Sequence, residues 1–175
     1  MLLLIEDIVL WARLRTGAQP ASSAHPVDGL VAPVVGLHRP LAERRGVALT
    51  ADVPASLVAW TDLVLAQTMV RNLVGNAVKF ARSRVEVIAR MEEGTVRITV
   101  RDDGPGLPPA VLARLRGEVS TAGDEGEGGG MGLRLSQEIG VTLGAAIEAA
   151  EKVGGGTEMS VILPAADRAA GEAGT

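Results

Sequence analysis

Apolar positions at Leu4, Ile8, Trp11 and Leu14 recur at helical spacing through residues 1–16. The unbroken apolar run there stops after five residues at Glu6, too short for a membrane span, and no leader-type cleavage pattern accompanies it. Residues 17–26, GAQPASSAHP, are small, polar and proline-bounded and read as a linker. Beyond it the pattern predicts a helix capped by Asp28, running to about Arg45 and stopped by Gly46, then a strand over 47–53. Thr61 and Asp62 open a long helix reaching about Ala81. Alternation at Val85/Val87 and at Val96/Ile98/Val100 predicts two strands joined through Glu93-Gly94, a hairpin signal. A glycine-rich, charged stretch at 117–130 feeds a helix over 131–143, followed by strands near 146–151 and 157–163. The tail 165–175 has no apolar period and is expected to fray. This mixture, with a hairpin in its middle, predicts an α+β fold: a two-layer α/β sandwich, not a doubly wound parallel sheet.

Composition narrows the chemistry. A length of 175 residues suits one domain with an appendage, and 47% apolar with 22% charged residues is ordinary for a globular core. No cysteine and only two histidines leave little room for thiolate or zinc chemistry. A net charge of −4 argues against a nucleic-acid binder, and three aromatics are too few for base-stacking platforms. Glycine is abundant, as alanine and arginine are, a bias found in GC-rich bacterial genomes. Lys79 and Lys152 are the only lysines beside fifteen arginines, so a lysine within a motif is a specific choice.

Four stretches carry candidate chemistry. On the predicted helix around NLVGNAVKFA, Asn72, Asn76 and Lys79 fall within about 60° of one another, bordering an apolar arc. Such a strip is either a solvated edge or a ligand strip; asparagine is a poor helix former, and two of them four apart ask for a reason. A carboxamide oxygen can ligate magnesium and an ammonium can meet phosphate. DDGPGLP at 102–108 ends a strand and turns sharply, which is either a plain loop or a backbone that approaches a flat ligand while Asp102 accepts from an exocyclic amine. GEGGGMGLRLS at 126–136 leads glycines into a helix N-terminus, a phosphate cradle or a flexible linker. It fits neither the P-loop nor the G-x-G-x-x-G pattern. GGGTEMSVILP at 154–164 is a glycine turn into a strand closed by proline.

In this order and spacing the four stretches resemble the ATP-binding catalytic domain of sensor histidine kinases, within the GHKL ATPase superfamily. NLVGNAVKF resembles its N box, DDGPG its G1 box, GGGMGL its G2 box and GGGT its G3 box, over roughly residues 25–164. The resemblance implies a Bergerat-type sandwich, a mixed sheet covered by helices on one face, at 27–164. It implies that residues 1–16 end a dimerisation helix. It also implies that Asn76 coordinates Mg2+ and that Lys79 contacts the triphosphate of ATP. Asn72 would line the same pocket, acting there with Lys79. Asp102 would read the adenine amine, with Gly104 and Gly106 shaping its loop. Gly128, Gly130, Met131, Gly132 and Leu133 would belong to the phosphate lid, and Thr157 with Gly156 would close the floor. An aromatic F box is missing from LARLRGEVSTAG.

Relatives that hydrolyse ATP, and the anti-sigma serine kinases, resemble one another in a glutamate at the place of Asn72. An amide there cannot serve as general base, which favours a histidine kinase. Neither His25-Pro26 nor His38-Arg39-Pro40 offers the neighbouring acid of an acceptor histidine. The expectation is a cytoplasmic module that phosphorylates a histidine on a separate dimerisation domain, upstream of a response regulator, without touching nucleic acid or membrane. It would bind ATP but not label itself. A nucleotide-sensing or docking module without phosphotransfer is the alternative.

Overall fold

A computed structural model of the chain describes residues 19–115, 131–151 and 155–167. Eleven elements follow one another there. Strand β1 (Ser23–Pro26) leads into α1 (Val27–Arg44), then β2 (Ala48–Asp52), β3 (Val58–Thr61) and α2 (Leu63–Phe80). The hairpin β4 (Arg84–Glu92) and β5 (Thr95–Asp102) comes next, then the short α3 (Pro109–Leu115). Helix α4 (Met131–Leu143), β6 (Ala146–Glu151) and β7 (Thr157–Pro164) complete the order.

Five strands form one mixed sheet in the order β2-β4-β5-β7-β6, with β2 parallel to β4 and the other pairs antiparallel. Alternation sorts its side chains onto two faces. Val85, Val87, Val96, Ile98, Val161 and Leu163 are buried beneath the helices. The opposite face is polar: Arg97 bridges Glu92 and Glu148, Arg101 pairs with Glu158, and Thr99 and Ser160 share a hydroxyl hydrogen bond. Among the described residues the helices thus cover one face only, as the sequence led us to expect. α1 buries Val27, Leu30, Val31, Val34 and Val35, and α2 buries Met69, Val70, Leu73, Val74 and Ala77, both at the spacing of a single helical stripe. Pro33 and Pro40 lie inside α1 but on exposed positions, so the donors they lack are missing from its solvent side.

The local signals that held were strong ones. The Asp62 carboxylate accepts from Val64 N–H and Leu65 N–H and caps α2. Glu93 and Gly94 both take positive φ, 48° and 80°, the two-residue hairpin turn whose twist matches its strands. Other expectations are corrected. Asp28 is not the cap of α1: Pro26 holds that place without a side-chain bond, and the Asp28 carboxylate accepts from Gly29 N–H within the first turn. Val27 N–H instead donates to Leu57 O. The last residues of the expected linker form β1, which pairs antiparallel with β3, and Thr61 ends β3 instead of opening the helix. Helix α3 was not expected; Pro109 begins it, where a missing N–H costs nothing. The expected dimerisation-helix end at 1–16, the glycine-rich stretch at 117–130 and most of the tail lie outside the described residues.

Candidate functional site

A cleft of about 410 Å³ opens between α2, the ends of β5 and β7, and the loop leading into α3. That size fits a small-molecule ligand. Its inner wall is apolar, with Leu73 and Ala77 from α2, Val100 from β5 and Met159 from β7. Leu107, Val111 and Leu133 close it from the α3 and α4 sides. Few polar groups reach it: Asn76, Lys79, Asp102 and Thr157.

Asp102 owes its place to strand alternation. It follows Val96, Ile98 and Val100 on the inward face of β5 and stands in register with Thr157. The residue is 8% exposed, and desolvation pushes its carboxyl above the usual aspartate value. Hydrogen bonds from Gly104 and Thr157 oppose that shift without cancelling it. Gly104 N–H donates to Asp102 Oδ1 at 2.7 Å. A Cβ on Gly104 would stand 2.7 Å from both that oxygen and Phe80 O, so only glycine fits. Gly156, at φ +101°, presses so closely on the Asp102 carbonyl that a Cβ would lie 2.2 Å from it. Gly106 also needs positive φ, +91°.

Across the cleft, Asn76 and Lys79 stand exposed on α2, one turn apart. Lys79 Nζ lies 5.0 Å from the Phe80 ring centroid, and Phe80 itself is 52% exposed at the mouth. The Asn76 carboxamide is tied to no described residue, so its oxygen is available to a cation. No cluster of three or more histidine or acidic side chains that could hold a metal by itself occurs among the described residues. A magnesium ion here would therefore share Asn76 with ligand phosphates and water, its usual habit.

Of the residues singled out in the sequence, Asn76, Lys79, Asp102, Gly106, Leu133 and Thr157 converge on the cleft, with Gly104 and Gly156 packed behind Asp102. Asn72 does not line it. Its Nδ2 donates to Gly132 O at 2.9 Å and to Ser136 Oγ at 3.0 Å, fastening α2 to the first turn of α4. Gly132 is glycine for that contact: a Cβ would meet the Asn72 carboxamide at 3.2 Å. Met131 begins α4, while Gly128 and Gly130 lie outside the described residues. His25 Nε2 meets Ser23 Oγ, and His38 Nδ1–H donates to Val34 O; among the described residues no carboxylate holds either ring.

The sequence reading missed Asp103. Its carboxylate accepts from Arg82 N–H, Ser83 N–H and Arg84 N–H, and from the Ser83 hydroxyl at 2.6 Å. Those donors, the Ser83 hydroxyl foremost, hold its carboxyl well below the usual aspartate value. The available signal was alternation: if Asp102 faces in, Asp103 must face out.

A one-sided mixed sheet carrying a nucleotide-sized cleft, a buried carboxylate and an amide–ammonium strip defines a two-layer α+β nucleotide-binding domain. The chain belongs to the family of histidine kinase-, DNA gyrase B- and HSP90-like ATPases, whose model matches residues 61–167. The GHKL expectation from the N and G boxes therefore stands. The chain is 26% identical over 171 residues to the sensor-like histidine kinase SenX3 of Mycobacterium tuberculosis, covering 93% of this chain and 41% of that protein. It is 26% identical over 148 residues to the virulence sensor histidine kinase PhoQ of Salmonella typhimurium, covering 85% and 30%. The chain thus spans less than half the length of these relatives. Among solved structures, full-length ShkA in complex with AMPPNP aligns at TM-score 0.73 and 27% identity, over 93% of this chain and 35% of that one. The nucleotide-free catalytic domain of histidine kinase ThkA aligns at TM-score 0.68 and 17% identity, over 82% and 96%, a likeness of fold. No described helix is long and apolar enough to cross a membrane.

Proposed function

We propose that the chain is the Mg-ATP-binding catalytic module of a cytoplasmic two-component sensor histidine kinase. It delivers the γ-phosphate to a histidine on a separate dimerisation domain, from which a response regulator is served. The observation that carries this reading is the pairing of buried Asp102 in an apolar cleft with the free Asn76/Lys79 rim opposite.

The purine lies between the apolar walls, and the Asp102 carboxylate accepts from its exocyclic amine. A purine with a carbonyl oxygen at that position sets acceptor against acceptor, which disfavours guanine. Lys79 offers its ammonium to the phosphates as a point charge. Asn76 contributes its carboxamide oxygen to the magnesium ion, which when bound neutralises charge on the transferring phosphate. Asn72 takes no proton: both N–H bonds of its Nδ2 are given to α4, and an amide is no base at neutral pH. With an amide instead of a carboxylate at position 72 to activate water, the chain binds ATP without hydrolysing it. Among the described residues, His25 and His38 meet a hydroxyl and a carbonyl and no carboxylate that would raise their nucleophilicity, which supports an acceptor on another domain.

Incubation with γ-labelled ATP, alone and with an added histidine-bearing dimerisation domain, tests this. The chain alone should release no phosphate and take up no label, while the added domain gains acid-labile label. Acid-labile label on the chain that disappears in a His25 or His38 variant contradicts the proposal. Nucleotide binding with no label on any added acceptor supports the sensing module instead.

A further inference from the structure

We infer that Asp103 is a positioning residue for the nucleotide site: it locks the loop carrying Asp102 onto the junction between α2 and β4. The inference rests on the reading above that Asp102 meets adenine. Asp103 Oδ1 gathers the N–H groups of Arg82, Ser83 and Arg84, at 2.9, 3.0 and 3.1 Å, and Oδ2 takes the Ser83 hydroxyl. These donors follow directly on Phe80 and Ala81, where α2 has ended and its successors have no partner within the helix. One carboxylate therefore satisfies the start of β4 and fixes the loop against it. Gly104, the next residue, is wedged between Phe80 O and Asp102 Oδ1 with no space for a methyl group.

The consequence is geometric. Asn76, Lys79 and Phe80 lie on α2, and Asp102 lies on the far side of the cleft at the end of β5. Asp103 ties the loop after β5 to residues 82–84, immediately beyond the end of α2, and so helps set the distance from the adenine-reading carboxylate to the phosphate-facing rim. It touches no ligand itself. The clamp also survives acidification that reaches Asp102, because the two carboxyls are shifted in opposite directions.

Calorimetry of ADP, GDP and inorganic tripolyphosphate on Asp103→Ala, Asp103→Asn, Ser83→Ala and unaltered chain separates positioning from mere stability. Asp103→Ala should weaken ADP about tenfold or more and lower the ADP-to-GDP preference, with tripolyphosphate unchanged. Asp103→Asn keeps an acceptor for the three N–H groups and should return ADP to within about threefold. Ser83→Ala removes one bond and should show the same sign with a smaller loss, which decides the matter if Asp103→Ala fails to fold. An Asp103→Ala chain that melts earlier but keeps its ADP affinity and its ADP-to-GDP preference overturns the inference, as does equal weakening of ADP and GDP. If the unaltered chain binds no nucleotide, the function reading fails separately. Exchange of the Gly104 amide in the free chain then decides: faster in Asp103→Ala and restored in Asp103→Asn supports the clamp, and no change refutes it.

Discussion

Two walls face each other across the cleft, and they are built on opposite terms. On one side the 102–104 segment is held at each residue: Asp102 is buried and bonded to Gly104, Asp103 takes donors from three successive residues, and Gly104 and Gly156 leave no space for a methyl group. On the other side Asn76 and Lys79 stand in solvent, the Lys79 ammonium near the Phe80 ring. The first wall meets a rigid, flat base, where small errors of position cost selectivity. The second meets a flexible, highly charged chain and a hydrated ion, where point charges and a single carboxamide suffice. Rigidity is concentrated where shape is read.

The largest effect should come from breaking the rigid wall. Gly104→Ala drives a methyl group onto the Phe80 carbonyl, and Gly156→Ala adds a clash to an unfavourable φ; each should cost about 3 kcal/mol or more. Urea denaturation measures the loss, and a cost under about 1 kcal/mol for either would show that the loop yields.

Next comes Asp102→Asn, expected to weaken ATP by about tenfold to a hundredfold while GTP changes little, from the loss of a charge-assisted bond of about 1.5–3 kcal/mol. The same substitution should stabilise the free chain at neutral pH. The Asp102 carboxyl is raised in the folded state, so the stability linked to it is fully present below the unfolded value and lost as pH rises through the folded one. Asp102→Asn removes that loss, so its stabilising effect should shrink on acidification; thermal melts across pH 3–8 follow it. Asp103 has the opposite sign: its contribution is present above the ordinary carboxylate range and fades only in strong acid.

On the open wall, Asn76→Ala and Lys79→Ala should leave stability within about 0.5 kcal/mol, because both side chains are exposed. Their effect should appear in nucleotide binding, with Asn76→Ala removing the magnesium dependence and Lys79→Ala weakening triphosphate more than diphosphate. The smallest effect on nucleotide affinity, none, is expected from Arg97→Ala on the polar sheet face, away from the cleft, whose stability cost should stay at about 1 kcal/mol or less despite its two ion pairs.

How much was legible in advance follows the same division. Helix α2 and the β4–β5 hairpin announced themselves through an apolar stripe, an aspartate cap and a Glu93-Gly94 turn, signals whose causes are local. β1 and β3 did not: each is four residues long, SAHP has no apolar alternation, and in VAWT the small Ala59 is buried while the large Trp60 is exposed, so the sequence pattern hides strands that their pairing reveals. Asp28 misled because a carboxylate near a helix start can cap or merely sit in the first turn, and the chain entering from β1 decides which. In the site, alternation along β5 was enough to turn Asp102 inward. Asn72 was expected to line the pocket beside Asn76 and Lys79, whereas its amide meets the first turn of α4, a neighbour set by how α4 packs, which is a tertiary fact. Asp103 was readable as outward-facing, but its donors come from a junction about twenty residues away that no local pattern points to.

The account stands or falls on a magnesium-dependent adenine site in this cleft. Titration calorimetry of ATP, with magnesium and with excess chelator, on the unaltered chain and on Asp102→Asn measures it directly. The account predicts binding that magnesium tightens and that Asp102→Asn weakens for ATP but not for GTP. Equal affinity for ATP and GTP in the unaltered chain, or ATP affinity unmoved by Asp102→Asn, would contradict it.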